Sequence, residues 1–254
     1  MSAVAAPHRL LVLQHIGCEP PAAYEDELLD RRLLLDRVQL DEGDRLPDWR
    51  GYAGIVAMGG PMGTYEADRH PWLEAEMALI AQAVRADKPF WGVCLGAQLL
   101  AASLGAAVSP GPEPEVGVFS VELTAAAAAD TIFSHAPPSF PALHWHGDTY
   151  TLPSGAVRLA RSERYEQQAF AYRNAYALQF HLEVTAEAIA EWARVDSYAA
   201  SLAKLPGENP LADLLDQVGA VQDSAISLAR ELFARWLVDI VGVGDVAAST
   251  SAST

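Results

Sequence analysis

The sequence predicts a three-layer α/β fold with a mainly parallel central sheet and a small antiparallel extension. The first observation is a set of three compact apolar runs of strand length, at residues 9–16, 54–58 and 88–93. Short and wholly apolar strands are typical of a sheet that is covered on both faces. The second observation is that apolar residues recur at helical spacing between these runs, at residues 24–35 and 71–86. Alternating strands and helices favour a parallel, doubly wound sheet.

The second half of the chain has a different pattern. Four short segments have the composition of strands joined by tight turns, some of them antiparallel: residues 118–123, 157–162, 169–172 and 175–181. From Thr185 onward the pattern is helical. Together these patterns predict a flavodoxin-like single domain of residues 1–245, of which residues 185–241 form a C-terminal helical part. Residues 246–254 are small and polar, and we expect them to be disordered.

Composition limits the classes of function. The chain has 254 residues, of which 51% are hydrophobic, enough for one α/β domain with a substantial core. It carries 33 acidic residues against 17 lysines and arginines, a formal net charge of -16. Such a charge repels phosphate backbones and anionic lipid, so nucleic-acid and membrane partners are not expected. With two cysteines, no basic leader and no long apolar stretch, the expected location is the cytoplasm.

The most informative motif surrounds Cys94. An apolar strand meets a helix there, and glycines stand two residues before and after the cysteine, at Gly92 and Gly96. This is the pattern of a nucleophile on a sharp strand-to-helix turn. The dipole and free amides at the start of the following helix favour a thiolate and a developing oxyanion. The alternative is a buried structural cysteine, which is how most isolated cysteines behave.

A thiolate nucleophile requires a base and a group that orients the base. If residues 175–183 are extended, His181 and Glu183 project to the same face, so the carboxylate can approach the imidazole. Amide donors for an oxyanion are also needed, and a glycine-rich segment, residues 58–63, directly follows an apolar strand. Gly60 and Leu95 are the natural pair of donors.

Four motifs carry a resemblance to a known family. They are GGPMG at 59–63, GVCLGAQ at 92–98, HGD at 146–148 and QFHLEVT at 179–185. In this order and spacing, the chain resembles the class I glutamine amidotransferase family, especially the glutaminase part of GMP synthases. In that family the cysteine forms a γ-glutamyl thioester, releases ammonia and is regenerated by water. The resemblance implies Cys94 as nucleophile, His181 as base and Glu183 as orienting acid.

The resemblance implies further roles for residues around this triad. It assigns oxyanion donation to the amides of Gly60 and Leu95, the same pair that the residue pattern indicates. It also implies substrate contacts from Gly59, Gln98, Glu115, Gly117, His146 and Asp148. His144, His146 and Asp148 could instead be metal ligands, but the HGD match explains the same residues, so no metal and no cofactor are expected.

Two departures from the family pattern leave alternatives open. Leu182 stands where the family usually has proline, which the chemistry does not require. The sequence also lacks the nucleotide-activating domain of GMP synthases, so the ammonia would pass to a synthetase partner. A free-standing γ-glutamyl peptidase or hydrolase fits the same motifs. A third alternative is a non-catalytic binding or regulatory protein that retains the fold.

Overall fold

The computed structural model describes residues 8–244, and within that range a nine-stranded sheet organises the chain. The strands are β1 (Arg9–Gln14), β2 (Leu34–Gln39), β3 (Gly54–Ala57), β4 (Phe90–Val93), β5 (Val108–Leu123), β6 (Ser139–Tyr150), β7 (Val157–Arg161), β8 (Ala169–Tyr172) and β9 (Ala175–Leu178). The α-helices are α1 (Ala23–Asp30), α2 (Trp72–Arg85), α3 (Leu95–Ser103), α4 (Ala186–Trp192), α5 (Asp196–Leu202) and α6 (Pro210–Arg235). A π-helical segment, Trp236–Val241, continues α6.

The sheet is mixed, which corrects the expectation of a mainly parallel sheet. Its order is β2-β1-β3-β4-β9-β8-β7-β5-β6. The pairings from β2 to β9 are parallel, whereas the four from β9 to β6 are antiparallel. The antiparallel part is not a small extension, because it holds the two longest strands and more than half of the paired residues. The fold is therefore an α/β fold with a large mixed sheet.

Both faces of the parallel half are covered. Leu10 and Val12 of β1 face one core, together with α1 and α6, while the alternating Leu11 and Leu13 face another, together with α2 and α3. This is why β3 and β4 are wholly apolar in sequence. The last helix buries Phe233.

Two strands were not predicted from the sequence. β2 begins inside the segment expected to be helical, because it is an edge strand whose charged and half-exposed residues lack a clear alternation. β6 contains Pro141 and Gly147, residues that usually interrupt strands. The predicted disorder of residues 246–254 lies outside the described residues. Within residues 8–244, no helix is both long and apolar enough to cross a membrane.

Candidate active site

Cys94 lies on a sharp turn between β4 and α3. Its backbone φ of 51° is one that residues with a side chain rarely adopt. Packing explains both flanking glycines: a Cβ on Gly92 would lie 2.6 Å from the Gly96 carbonyl oxygen, and one on Gly96 would lie 2.2 Å from that of Ala57. Strain of this kind is concentrated at functional sites, which favours the nucleophile interpretation over a structural cysteine.

His181 and Glu183 form a buried pair next to Cys94. The Nδ1 atom of His181 lies 2.8 Å from Oε1 of Glu183, whose Oε2 accepts from the Leu182 N–H at 3.0 Å. The backbone of His181 is fixed by two hydrogen bonds with Leu143 of β6. β9 ends at Leu178, so the segment is less extended than expected, yet the two side chains meet.

The environment of His181 favours its protonated form. Burial lowers the pKa of His181, but the Glu183 carboxylate and the neighbouring Cys94 raise it, and the net result lies well above the usual value of 6.5. Because Nδ1 faces a carboxylate, it carries a proton and leaves Nε2 for Cys94. The geometry therefore places a proton-carrying imidazole next to the Cys94 sulfur.

The two amides expected to stabilise an oxyanion lie on different elements. Leu95 is the first residue of α3, and Gly60 follows β3 in the loop that lines the same cavity as Cys94. Within residues 8–244, neither backbone N–H has a hydrogen-bond acceptor. Free N–H groups at the edge of a cavity are available to a ligand oxygen.

A cavity of about 340 Å³ opens in front of Cys94. Gln98, His146 and Asp148 line it, as expected for substrate contacts, whereas Gly59, Glu115 and Gly117 do not. The Gln98 amide donates to Gln179 Oε1 at 3.1 Å, and Gln179 in turn lies 3.6 Å from the Cys94 sulfur.

Gly59 has a different structural explanation. A Cβ at this position would lie 2.1 Å from Oε2 of the buried Glu19. Glu19 accepts a hydrogen bond from the Tyr198 hydroxyl, and burial raises the pKa of Glu19 above its usual value. Gly59 is thus needed for the close approach of this carboxyl group.

The Glu115 side chain contacts His146, the first residue of the HGD segment. Its side chain accepts from Gln168 at 2.7 Å and from Ser162 at 2.8 Å, and one of its oxygens lies 3.2 Å from a ring nitrogen of both His144 and His146. Although burial opposes ionisation, His144 and His146, together with Ser162, hold the pKa of Glu115 far below its usual range. Glu115 therefore contacts His146 from the protein interior and not from the cavity.

The same three residues are the ones that could hold a metal. Ligand atoms of Glu115, His144 and His146 all lie within 4.8 Å of one another. The sequence pattern indicated the two histidines with Asp148 and did not indicate Glu115, because Glu115 lies on β5 and reaches the histidines of β6 only through strand pairing. The Glu115 carboxylate already accepts hydrogen bonds from Ser162 and Gln168. The expected absence of a metal stays a prediction.

Several cavity residues were not found from the sequence. Tyr198, Ser201 and Lys204, from α5 and the residues after it, form one wall, and Tyr65 forms part of another. The Tyr65 hydroxyl donates to Asp148 at 3.3 Å. No local motif marks these positions, because they come from segments far from Cys94 in the chain.

Comparison with known proteins identifies the class to which this fold and cysteine turn belong. A model of the family "Glutamine amidotransferase class-I" matches residues 25–191. The chain belongs to the class I glutamine amidotransferase family.

Three relatives illustrate the similarity. The glutamine amidotransferase-like protein YfeJ of Salmonella typhimurium is 33% identical over 186 residues, covering 71% of this chain and 78% of YfeJ. A glutamine-hydrolyzing GMP synthase subunit from Ignicoccus hospitalis is 34% identical over 142 residues, covering 54% of this chain and 70% of that protein. The crystal structure of a glutamine amidotransferase from Thermotoga maritima superposes with a TM-score of 0.81 at 32% identity, covering 93% of this chain and 99% of that one.

Proposed function

We propose that this protein hydrolyses the side-chain amide of glutamine through a γ-glutamyl thioester on Cys94 and releases ammonia. The observation that carries the proposal is the cavity that opens onto Cys94, with the buried His181–Glu183 pair behind the sulfur. Family membership supports glutamine as the substrate.

The reaction has two stages. In the first, the Cys94 thiolate attacks the carboxamide carbon, and the N–H groups of Gly60 and Leu95 stabilise the oxyanion that forms. His181 gives its proton to the departing nitrogen, the carbon–nitrogen bond breaks and ammonia leaves. In the second, His181 takes a proton from water, the hydroxide attacks the thioester carbon and the carbon–sulfur bond breaks. Glutamate leaves, its carboxyl proton passes to solvent, and the Cys94 thiolate remains beside the protonated His181. Glu183 keeps the imidazole oriented throughout.

The charges around the cavity suit the ends of an amino acid. We assign the α-amino group of the substrate to the acidic side of the cavity, where Asp148 and Glu66 lie. Lys204 on the α5 side supplies a positive charge for the α-carboxylate. Gln98 and His146 complete the proposed contacts near the amide and the HGD segment.

The test is release of ammonia and glutamate from glutamine by the purified protein. We expect turnover by the wild type and by Cys18→Ala, and a loss of at least about 10³-fold in Cys94→Ala. Turnover that survives in Cys94→Ala would reject the assignment of the nucleophile. If the wild type neither turns over nor is labelled by a glutamine-analogue electrophile, the non-catalytic alternative is favoured.

A γ-glutamyl peptidase is the second candidate, and the size of the cavity favours it. Pockets of about 300 Å³ or more can accommodate ligands larger than one amino acid. Residues of α5 add a further wall to this cavity. A kcat/KM for γ-glutamyl dipeptides above that for glutamine would select this candidate.

For a partner protein, we propose a synthetase that accepts the ammonia. A protein named as part of a GMP synthase is among the relatives. Stimulation of glutamine hydrolysis by such a synthetase would support it.

A further inference from the structure

Another histidine–carboxylate pair lies behind the loop that carries Gly60. His15 directly follows β1, Glu76 belongs to α2, and both side chains are fully buried. The Nε2 atom of His15 lies 2.9 Å from Oε1 of Glu76, and its Nδ1 lies 3.1 Å from the carbonyl oxygen of Gly59. Trp72 stacks on the imidazole at a centroid distance of 5.5 Å. We call these two residues the His15–Glu76 pair.

Hydrogen-bonding rules fix the proton on the Gly59 side of the ring. A carbonyl oxygen can only accept, so Nδ1 of His15 must carry the hydrogen that it shares with Gly59. Nε2 faces a carboxyl group, which keeps the ring from rotating in either protonation state. The imidazole therefore presents a fixed N–H donor to the Gly59 carbonyl.

The bond to Gly59 also controls the next amide. The Gly59 carbonyl and the Gly60 N–H belong to one planar peptide unit, which is trans, so they point in opposite directions. Anchoring the oxygen on His15 fixes the direction of the N–H. Since Gly59 and Gly60 both lack a Cβ, this peptide would otherwise rotate readily.

We propose that the His15–Glu76 pair is a positioning device that holds the Gly59–Gly60 peptide with its N–H directed at the oxyanion formed on Cys94. The inference rests on the proposed function, because it assigns a role in the same acyl transfer. Neither residue lines the cavity in front of Cys94, so both act through the peptide and not on the substrate. A donor to the carbonyl also polarises the amide, which strengthens its N–H as a donor.

Two substitutions at His15 separate positioning from packing. The Nδ2 group of Asn lies about where Nδ1 lies in histidine, so His15→Asn can retain the bond to Gly59. Gln is longer than Asn, so in His15→Gln the amide group lies about where Nε2 lies in histidine and the bond to Gly59 is lost. Glu76→Met keeps most of the side-chain volume and removes the oxygen that faces Nε2. His135→Gln, an exposed histidine outside the site, is the matched control.

The measurements are kcat and KM for the preferred amide substrate, and the inhibition constant of L-glutamate γ-semialdehyde. The Cys94 sulfur adds to the aldehyde carbon, the carbonyl π bond breaks, and the resulting oxygen occupies the oxyanion position while His181 retains the thiol proton. We expect His15→Gln to lower kcat about 10- to 100-fold while KM changes by no more than about twofold. The inhibition constant of the aldehyde should rise by a factor similar to the loss in kcat. His15→Asn should recover much of both losses.

The outcomes separate this inference from the proposed function. If the wild type is active and folded His15→Gln has an unchanged kcat, the positioning role is wrong while the function stands. A fall in kcat without weaker aldehyde binding would also overturn it, since a loss that spares the oxyanion is not due to this peptide. If His15→Gln does not fold, Glu76→Met decides by the same two measurements. No activity in the wild type would reject the function first.

Discussion

At the scale of single residues, Gly96 shows how tightly the cysteine turn is packed against β3. A Cβ there would lie 2.2 Å from the carbonyl oxygen of Ala57, which is backbone and cannot move aside cheaply. We expect Gly96→Ala to lower the free energy of unfolding by about 1–3 kcal/mol and to abolish hydrolysis. Urea denaturation and an ammonia assay test this, with Gly51→Ala, where nothing lies within 4 Å, as the control. A Gly96→Ala variant as stable as the control would contradict the packing argument.

The His181–Glu183 pair leads to a prediction on pH. Burial opposes the charge on His181, but Glu183 and Cys94 raise its pKa above 6.5, the value of the unfolded chain. A group whose pKa is raised on folding contributes stability that is complete below the unfolded value and is lost as pH rises through the folded value. Without the carboxylate, the largest of the effects that raise the pKa of His181 is lost, so this contribution to stability is smaller.

The free energy of unfolding of the wild type should therefore be higher than that of Glu183→Gln, and the difference should be larger at pH 6 than at pH 9. Urea denaturation of both proteins across this range measures the difference, and NMR titration of His181 measures the pKa directly. A difference that grows with pH would show that Glu183 does not hold the proton on His181.

Local sequence predicted part of the residue-scale picture. Cys94 and the His181–Glu183 pair were found because each motif is contiguous and its spacing has a geometric meaning. His15 has a partner 61 residues away, and Glu19 meets Tyr198 across 179 residues. Only the folded sheet brings such pairs together, so no spacing rule could identify them.

At the scale of elements, α6 is an integral part of the core. Phe233 is fully buried between Tyr24, Trp91 and Trp236. We expect Phe233→Ala to cost about 3–5 kcal/mol of stability, because it leaves a cavity among aromatic rings. Thermal or urea unfolding measures this.

The exposed side of the same helix supplies the matched control. Gly219→Ala, in the middle of α6 and with nothing within 4 Å, should stabilise the protein by about 0.5–1 kcal/mol through helix propensity. If Phe233→Ala is as stable as the wild type, α6 is a peripheral helix and its assignment to the domain core is wrong.

The strands were predicted unevenly for a physical reason. β1, β3, β4, β8 and β9 are short and apolar, so their composition identifies them. The long β5 and β6 pair mainly with each other and carry prolines, glycines and charged side chains, and their strand structure depends on tertiary pairing.

At the scale of the whole molecule, the two halves of the mixed sheet contribute different parts of the site. The parallel half contributes the Cys94 turn and the Gly60 loop, and the antiparallel half contributes the HGD segment and anchors His181 through Leu143. Alternation of strands and helices predicted the first half. The size of the second could not be predicted, because antiparallel pairing joins segments without a repeating local signal.

The net charge of the chain bears on its partners. The formal charge is -16, whereas the proposed site places Lys204 at the cavity. An acidic surface disfavours nucleic acid and suits a small zwitterionic substrate or a partner with a basic docking face. Either candidate function is compatible with this charge.

Labelling of the cysteines by a glutamine-analogue electrophile, 6-diazo-5-oxo-norleucine, tests the central claim most directly. Burial, with the nearby Glu19, raises the pKa of Cys18 to about 11, so that thiol is protonated and unreactive at neutral pH. Peptide mass spectrometry should find one adduct per chain, on Cys94, formed more slowly in the presence of glutamine. An adduct on Cys18, or no adduct on folded protein, would contradict the account.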